Sequence, residues 1–444
     1  MANPILPCWE HIPDGEPRLF GDRVYLYGSH DKPRSGSFCD TRLKVWSAPV
    51  SDLNRWTCHG DSFHVAADDD HPSSVPWKAR ELYAPDVVEK DGKYYLFAYL
   101  FYSRGAIGVS DKPEGPFRLL GSYHWDESMP VPPDFCNNGV FVDPGVLVDD
   151  DGSVWIYCGF EWSYVIRTDP EDITKVLPET YRTDIIPRGT DPADFYEACS
   201  PRKIGDTYYL IYSPRRGSRL DYCTAPSPAG PFTYRGTIID NAIDFPGGND
   251  HGGLCRIGDQ WYIFYHRMTN GTCYSRQACV EKINILPDGS IPQVEMTSLG
   301  FEESLDPYVI RPAYNACVMT GGAIIREYDP MDIVVSDIRS GSVIGFKYFD
   351  FGVDYSGTSL NLCVKLRGNG ESGLIHVRLD DRAGGDEIAV IPFGGSDAVL
   401  TARVRNITGR HAVYFVFEDD RPQTDWAGMT DRRLVSFESF VFMK

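Results

Sequence analysis

The chain has 444 residues and a formal net charge of -20, so its length alone predicts about two or three domains. Nucleic acids and anionic membranes require clustered Lys and Arg, and the acidic balance therefore argues against both as partners. No run of about 18 apolar residues is present, which argues against a transmembrane helix.

One pattern recurs five times in the first 300 residues: a strand, a short turn that contains glycine, and then an aromatic strand such as YYLFAY or YYLIYS. The turn glycines lie roughly 50 to 70 residues apart, which is long enough for a four-stranded sheet per repeat. They are Gly21, Gly92, Gly152, Gly205 and Gly258. Helical periodicity is absent, so the pattern predicts an all-β five-bladed propeller over residues 1–300.

Each repeat begins with one polar, ionisable residue. In chain order these are Asp14, Asp86, Asp143, Glu197 and His251. Because the innermost strands of a propeller line its central channel, we expect these side chains to converge on one ring. Clustered, partly desolvated carboxylates cannot all keep ordinary pKa values, so one stays protonated beside an ionised neighbour. That pairing of an acid with a base is what hydrolysis of a glycosidic bond requires.

The order of these motifs resembles glycoside hydrolase family 43 over roughly Pro4 to Val294. The segments that carry the resemblance are an early acid before GDRVYLYGS, then APDV, DPGVLVDDDG, EACSP before GDTYYLIYS, and HGG before YHR. The resemblance implies a propeller that hydrolyses α-L-arabinofuranosides or β-D-xylosides of oligosaccharides with inversion. It also implies that Asp14 is the general base, Asp143 the residue that tunes the pKa of its partner and orients it, and Glu197 the general acid.

Two departures from the family pattern concern these carboxylates. The first motif reads PDGEP, so Glu16 is a rival to Asp14, although counting back from the Gly-Asp turn favours Asp14. Glu197 is followed by Ala-Cys rather than Gly-Pro. For inversion we expect the acid and base carboxyl groups to stand about 6.5 to 9.5 Å apart, with Asp143 nearer Glu197 than Asp14 is.

Other residues are candidates for contacts with the sugar or a metal ion. By the resemblance, His251 faces a calcium ion or water cluster in the channel, although a hydrogen-bonded core histidine is an equally good interpretation. Candidate sugar contacts are Arg276, favoured by the resemblance, together with Arg267, Asp86, Trp46 and Phe38. The two aromatic residues would offer an apolar platform for a sugar ring, unless they pack within blades.

After about residue 300 the cadence changes to alternating runs such as SVIGFKYFDFGV, GLIHVRLDD and HAVYFVFEDD. These runs predict antiparallel strands of a β-sandwich over residues 301–444. The closing strands resemble a family 6 carbohydrate-binding module. A sandwich that only braces the propeller is an alternative.

The 12 cysteines show no metal-type C-x-x-C spacing, and several lie in strand-like runs. Free, buried thiols are therefore expected rather than a disulfide framework. With no basic and then apolar leader visible, this predicts a bacterial cytoplasmic enzyme, unless an export signal has been removed.

Two other functions remain compatible with a five-bladed propeller and a trailing sandwich. One is a retaining fructan or sucrose hydrolase of the family 32 type, and the other is a non-catalytic, lectin-like propeller. The sequence leaves open which sugar is cleaved, whether cleavage is exo or endo, and the oligomeric state.

Overall fold

A computed structural model describes residues 2–67, 70–101, 104–123, 141–354, 359–421 and 432–444. The regular secondary structure of these ranges is almost entirely β-strand, and their helices are two short 3-10 turns, Pro178–Thr180 and Ala313–Asn315. No helix within them is long and apolar enough to cross a membrane.

The first three blades are four-stranded antiparallel sheets whose strands follow chain order. Blade 1 contains β1 (Glu16–Phe20), β2 (Arg23–Tyr27), β3 (Arg42–Pro49) and β4 (Thr57–His64). Blade 2 contains β5 (Leu82–Lys90), β6 (Lys93–Leu100), β7 (Gly105–Ser110) and β8 (Arg118–Tyr123). Blade 3 contains β9 (Gly145–Val148), β10 (Val154–Cys158), β11 (Tyr164–Arg167) and β12 (Arg182–Thr183).

The last two blades continue the pattern. Blade 4 contains β13 (Phe195–Ile204), β14 (Thr207–Pro214), β15 (Arg219–Ala225) and β16 (Thr233–Asp240). Blade 5 has three strands, β17 (Leu254–Ile257), β18 (Gln260–Thr269) and β19 (Thr272–Ile283). Beside β19 the N-terminal segment is bound, since the Ile5 amide donates to the Ala278 carbonyl at 3.0 Å. The first residues of the chain therefore cover the outer edge of the last blade.

The predicted turn glycines join the first and second strands of the blades. All five have positive φ, for example 59° at Gly21 and 61° at Gly258. Glycine reaches this conformation without the steric cost that a Cβ atom imposes, so the short turns can form. The glycine turns thus lie at one end of the propeller, and the residues before each first strand lie at the other end, called here the mouth.

The innermost strands form the ring that closes the propeller. Strand β1 contacts β5 and β17, and β9 contacts β5 and β13. A parallel bridge between Gly15 and Gly252 joins the first blade to the last. The prediction of a five-bladed propeller is confirmed.

The remaining strands form a sandwich of two sheets. One sheet has the order β22 to β23 to β30 to β25 to β28, with β20 paired to β30, and the other the order β21 to β24 to β29 to β26 to β27. Their bounds are β20 (Arg311–Pro312), β21 (Val318–Met319), β22 (Ile324–Asp329), β23 (Asp332–Ile338), β24 (Val343–Asp350), β25 (Leu360–Gly368), β26 (Gly373–Leu379), β27 (Asp386–Phe393), β28 (Ala398–Val404), β29 (Arg410–Glu418) and β30 (Val435–Met443). The alternating runs of the sequence thus form sandwich strands. The boundary between residues 300 and 301 stays a prediction.

The sandwich packs against blades 4 and 5 through one continuous hydrophobic core, to which Phe245, Ile263 and Ile325 all belong. The hairpin of β22 and β23 also reaches the mouth of the propeller. There Glu327 accepts a hydrogen bond from Nε2 of His11 at 3.1 Å, and both side chains are buried. This hairpin is therefore part of the wall around the channel opening.

Candidate active site

Three of the predicted carboxylates meet at the mouth of the channel. Nδ1 of His251 lies 3.9 Å from Oδ1 of Asp14 and 3.8 Å from Oδ2 of Asp143. Glu197 lies close to both carboxylates. The charge of Glu197 raises the pKa of Asp143, and the charge of Asp14 raises the pKa of Glu197. Residues up to 237 positions apart in the chain therefore form one cluster.

The backbone at the start of the innermost strands turns these side chains toward the channel. Asp14 and Asp143 have φ values of 56° and 51°, and Ala198, beside Glu197, has 69°. Left-handed conformations are costly for residues other than glycine and concentrate at functional sites. In blade 4 the pairing of β13 with β14 is also irregular on both sides of Glu197, which is the effect of a β-bulge that redirects a side chain.

Asp14 is held in its ionised form. Nη1 of Arg276 donates to its Oδ1 at 2.8 Å, and Oγ of Ser29 donates to its Oδ2 at 2.6 Å. Burial alone would raise the pKa of Asp14, but the charges of Arg276, His251 and His266 and the bond from Ser29 bring it below its usual value. Asp14 is therefore suited to accept a proton.

Arg276 is itself fixed by a carboxylate. Its Nε and Nη2 donate to the two oxygens of Asp31 at 2.8 and 2.9 Å, in the bidentate geometry that favours arginine over lysine. The guanidinium lies 5.0 Å from the centre of the Phe38 ring. The structure thus brings the predicted residues Arg276 and Phe38 to the site, and adds Asp31, which the sequence analysis missed.

Glu197 and Asp143 have the opposite electrostatic environment. Burial and the charge of Asp14 together raise the pKa of Glu197 to about 7, against the lowering effects of Arg276 and Asn249. Burial also raises the pKa of Asp143 to about 7; His251 opposes this rise, while Glu197 and Asp14 add to it. The cluster therefore contains one ionised carboxylate beside two that hold protons near neutral pH.

His266 links the two sides of this cluster. Its Nδ1 accepts the Asp14 amide N–H at 3.3 Å, so the ring proton is on Nε2, which donates to the Asn249 carbonyl at 3.1 Å. Burial and the charge of Arg276 lower the pKa of His266 to about 3, so the ring is neutral. The Asn249 side chain in turn opposes the rise in the pKa of Glu197. His266 and Asn249 were also missed, although YHR and GGND contain them.

The structure does not bring Asp86 to this cluster. Glu16 and Asp86 stand at the same position relative to Phe20 and Lys90, the last paired residues of β1 and β5, so Asp86 is the counterpart of Glu16 rather than of Asp14. The Asp86 carboxylate is buried and bound by Nε of Arg18 at 2.9 Å and by a backbone amide at 2.6 Å. Its prediction as a sugar contact is wrong, because its oxygens already hold blades together.

Glu16 has a similar structural position. It lies 2.5 Å from Nη1 of Arg202 and accepts a hydrogen bond from Oγ of Ser200 at 3.1 Å. Arg202 also binds the carbonyl groups of Pro17 and Leu254, at 3.1 and 2.7 Å. Glu16 is therefore part of an ion-pair network in the channel, and the geometry favours Asp14 as the base.

Two further predicted sugar contacts lie away from the mouth. Arg267 is only 1% exposed and donates to Gln277 and to the carbonyl groups of Tyr314 and Ala316. Neighbouring residues of a strand point to opposite faces, so with His266 in the site Arg267 must face away. Trp46 is 4% exposed and donates to Oε2 of Glu10 at 3.0 Å. Both predictions are wrong, because these side chains pack inside the protein.

The residues of the channel do not fit a calcium ion held by several protein oxygens. No group of three or more His, Cys, Asp or Glu side chains suited to a metal occurs within the described ranges. The channel carboxylates Glu16 and Asp86 are neutralised by Arg202 and Arg18, and these cations would repel a divalent ion. His251 faces two carboxylates through Nδ1, and the calcium ion predicted beside it stays a prediction.

Comparison with known proteins gives consistent matches. The profile of Glycosyl hydrolases family 43 matches residues 1–291. A xylosidase/arabinosidase of Thermoclostridium stercorarium is 34% identical, over 94% of this chain and 95% of that protein. An arabinoxylan arabinofuranohydrolase of Paenibacillus polymyxa is 28% identical, over 93% of this chain and 71% of the length of that protein.

Solved structures share the fold. The arabinoxylan arabinofuranohydrolase of Bacillus subtilis, crystallised with cellotetraose, superposes with a TM-score of 0.56 at 24% identity. The superposition covers 100% of this chain and 97% of the Bacillus subtilis chain. An enzyme of Xanthomonas citri, crystallised with xylose, gives 0.55 at 25% identity over 66% of this chain and 93% of that structure.

Proposed function

The chain belongs to Glycosyl hydrolases family 43, and we propose that this glycoside hydrolase removes terminal α-L-arabinofuranose or β-D-xylose from plant-derived oligosaccharides with inversion. The observation that carries the proposal is the meeting of Asp14, Asp143 and Glu197 at the mouth, where Arg276 and Ser29 bind Asp14 and lower its pKa while burial raises the pKa of the other two carboxyl groups. The names of the relatives, xylosidase/arabinosidase and arabinoxylan arabinofuranohydrolase, support a pentose as the sugar.

In the proposed mechanism, Asp14 is the base. Its carboxylate, oriented by Arg276 and Ser29, takes a proton from the water that attacks the anomeric carbon. Glu197, protonated because of its burial, donates its proton to the glycosidic oxygen as the bond breaks. Asp143 lies 3.8 Å from His251. The charge of Glu197 raises the pKa of Asp143, so these two neighbouring carboxyl groups do not readily ionise together and protonation of one of them is favoured.

Inversion needs room for a water molecule between the base and the sugar, so a separation of about 6.5 to 9.5 Å between the carboxyl groups of Asp14 and Glu197 stays a prediction of the proposal. The family match favours neither the family 32 type hydrolase nor the lectin-like propeller. The family 6 resemblance of the sandwich also stays a prediction.

The proposal is tested with a panel of nitrophenyl arabinofuranoside, xyloside, galactoside and fructoside substrates, followed by proton NMR of the sugar that forms first. We expect turnover of the two pentosides and release of the inverted anomer. Release of the retained anomer would contradict the roles given to Asp14 and Glu197, and a preference for the galactoside or fructoside would contradict the proposed substrate.

A further inference from the structure

The position of the base depends on three separate segments of the propeller. Arg276 binds Asp14, and Asp31 binds Arg276 through both of its oxygens. Asp14 lies on the N-terminal segment before β1, Arg276 on the hairpin of β18 and β19, and Asp31 on the loop between β2 and β3. The hairpin of β22 and β23, which belongs to the sandwich, contacts all three of these segments.

The first contact is with the N-terminal segment. Oε2 of Glu327 lies 3.1 Å from Nε2 of His11, and the two residues are only 3% and 1% exposed. The carbonyl oxygen of His11 accepts a hydrogen bond from the Asp31 amide at 3.0 Å. His11 also stands three residues before Asp14. Glu327 therefore fixes a residue that leads into the base and that holds the backbone of Asp31.

The second contact is with the turn between β18 and β19. The Asn270 amide donates to the Ile325 carbonyl at 2.7 Å, and Oδ1 of Asn270 accepts the Glu327 amide at 2.9 Å. Nδ2 of Asn270 donates to Oγ of Ser275 at 3.0 Å, and Ser275 directly precedes Arg276. A path of hydrogen bonds therefore runs from Glu327 to the residue before Arg276.

The third contact is with the loop that carries Asp31. Nη1 of Arg34, three residues after Asp31, donates to the Tyr328 carbonyl at 2.8 Å. This bond is exposed to water, which competes for both groups, whereas the bonds of Glu327 are buried or partly buried. Glu327 is therefore the residue of the sandwich hairpin that holds the base and its supporting residues most directly.

We propose that Glu327 is a positioning residue for the catalytic base, which it reaches through His11 and Asn270. The inference rests on the proposed function. Catalytic groups must be held within about 0.5 Å of the productive geometry, and the hydrogen-bonded side chains behind them provide that precision. Arg276 both orients Asp14 and lowers its pKa, so a shift of Arg276 would alter the base in two ways. On this assignment the sandwich takes part in catalysis by fixing the base.

The test removes the Glu327 carboxylate and compares two leaving groups. Glu327→Ala should lower kcat/KM by about tenfold, less than the loss of about a hundredfold that a misplacement of about 1 Å can cause, because the bond from the residue 327 amide to Asn270 remains. The loss should be equal on a nitrophenyl pentoside and on an oligosaccharide, since the base activates water for both. A defect of the acid would instead spare the nitrophenyl substrate.

The acidic limb of the kcat/KM profile gives a readout that a merely structural role would not move. A displaced Arg276 lowers the pKa of Asp14 less, so the limb should shift to higher pH in Glu327→Ala. The other titratable groups that interact with the Asp14 charge stay in place in this variant, and they are His251, His266, Asp143, Glu197 and Asp250. In the Arg276→Lys background, Glu327→Ala should add no further shift, because its effect runs through Arg276.

A second variant and a control separate folding from catalysis. Asn270 has a φ of 56°, which glycine adopts freely, so Asn270→Gly should fold while it loses the side-chain bonds to Glu327 and Ser275. We expect the same equal loss on both substrates and the same shift of the limb. The matched control is Glu438→Ala, which removes an ion pair of 2.6 Å with Lys365 inside the sandwich and should leave kcat/KM and the limb unchanged.

Wild-type kinetics in a folded Glu327→Ala or Asn270→Gly protein would overturn the positioning role while the proposed function stands. A loss confined to the oligosaccharide, or an undiminished further shift in the Arg276→Lys background, would do the same. If Glu327→Ala does not fold, Asn270→Gly decides alone. If the wild-type enzyme releases no pentose from either substrate, the proposed function fails and the inference fails with it.

Discussion

The role of Glu197 can be tested by replacing it with glutamine and comparing leaving groups. Burial and Asp14 raise its pKa from an ordinary 4.5 to about 7. At pH 6 a group with a pKa of about 7 is about nine-tenths protonated, whereas the ordinary value would leave about 3% protonated, so the site increases the available acid about thirtyfold. Glu197→Gln cannot donate this proton, and kcat/KM on natural glycosides should fall by about a hundredfold to ten-thousandfold.

Substrates with an acidic leaving group need little protonation, so they should lose far less. The pH profile gives a second readout. Because the folded enzyme loses the Glu197 proton as the pH rises through about 7, kcat/KM of the wild type should decline above that pH on poor leaving groups, and this decline should vanish in Glu197→Gln. The matched control is Glu171→Gln on an exposed loop. Equal losses on both substrate classes, or an alkaline decline that persists in the variant, would remove Glu197 from the acid role.

Asp14→Asn should abolish turnover of both substrate classes. Glu16→Gln should leave turnover unchanged and instead lower the free energy of unfolding by about 3 to 5 kcal/mol, because the buried charge of Arg202 loses its partner. Activity assays and thermal unfolding of the two variants distinguish these outcomes, and an inactive but stable Glu16→Gln protein would reverse the assignment. Arg276→Lys should move the acidic limb of the kcat/KM profile to higher pH, because the guanidinium lowers the pKa of Asp14 and lysine cannot make the bidentate bond to Asp31 and the bond to Asp14 together. An unchanged limb would contradict the effect of Arg276 on Asp14. Chelation with EDTA should change neither activity nor unfolding temperature, because arginines already neutralise the channel carboxylates; a metal-dependent loss that calcium restores would contradict this interpretation.

Much of the fold could be predicted from local chemistry. Turns of the kind at Gly21 and Gly258 require a residue that tolerates positive φ, and the aromatic strands after them alternate as half-buried strands do. Repetition of that unit implied a propeller, and the switch to uninterrupted alternation after residue 300 implied the sandwich. Asp14, Asp143 and Glu197 were found because they recur at similar distances from the turn.

The wrong predictions for Asp86 and Arg267 arose because a sequence repeat does not specify strand register or the face to which a side chain points. Asp86 was aligned with Asp14 by counting along the chain, but strand pairing places it at the level of Glu16, where Arg18 binds it. Arg267 was chosen one residue away from His266, and in a strand that step moves a side chain to the opposite face.

The sequence by itself determined the repeated blade and the sandwich, because turn geometry and strand alternation are local properties of the chain. It also predicted that four carboxylates would converge, of which the structure brings Asp14, Asp143 and Glu197 together. Only the tertiary structure decided which arginines and histidines surround those carboxylates. Asp31 and Arg276 lie 245 residues apart, and burial together with charges from other blades sets the pKa values that separate base from acid. Such effects depend on distances across the channel, which the order of residues does not contain.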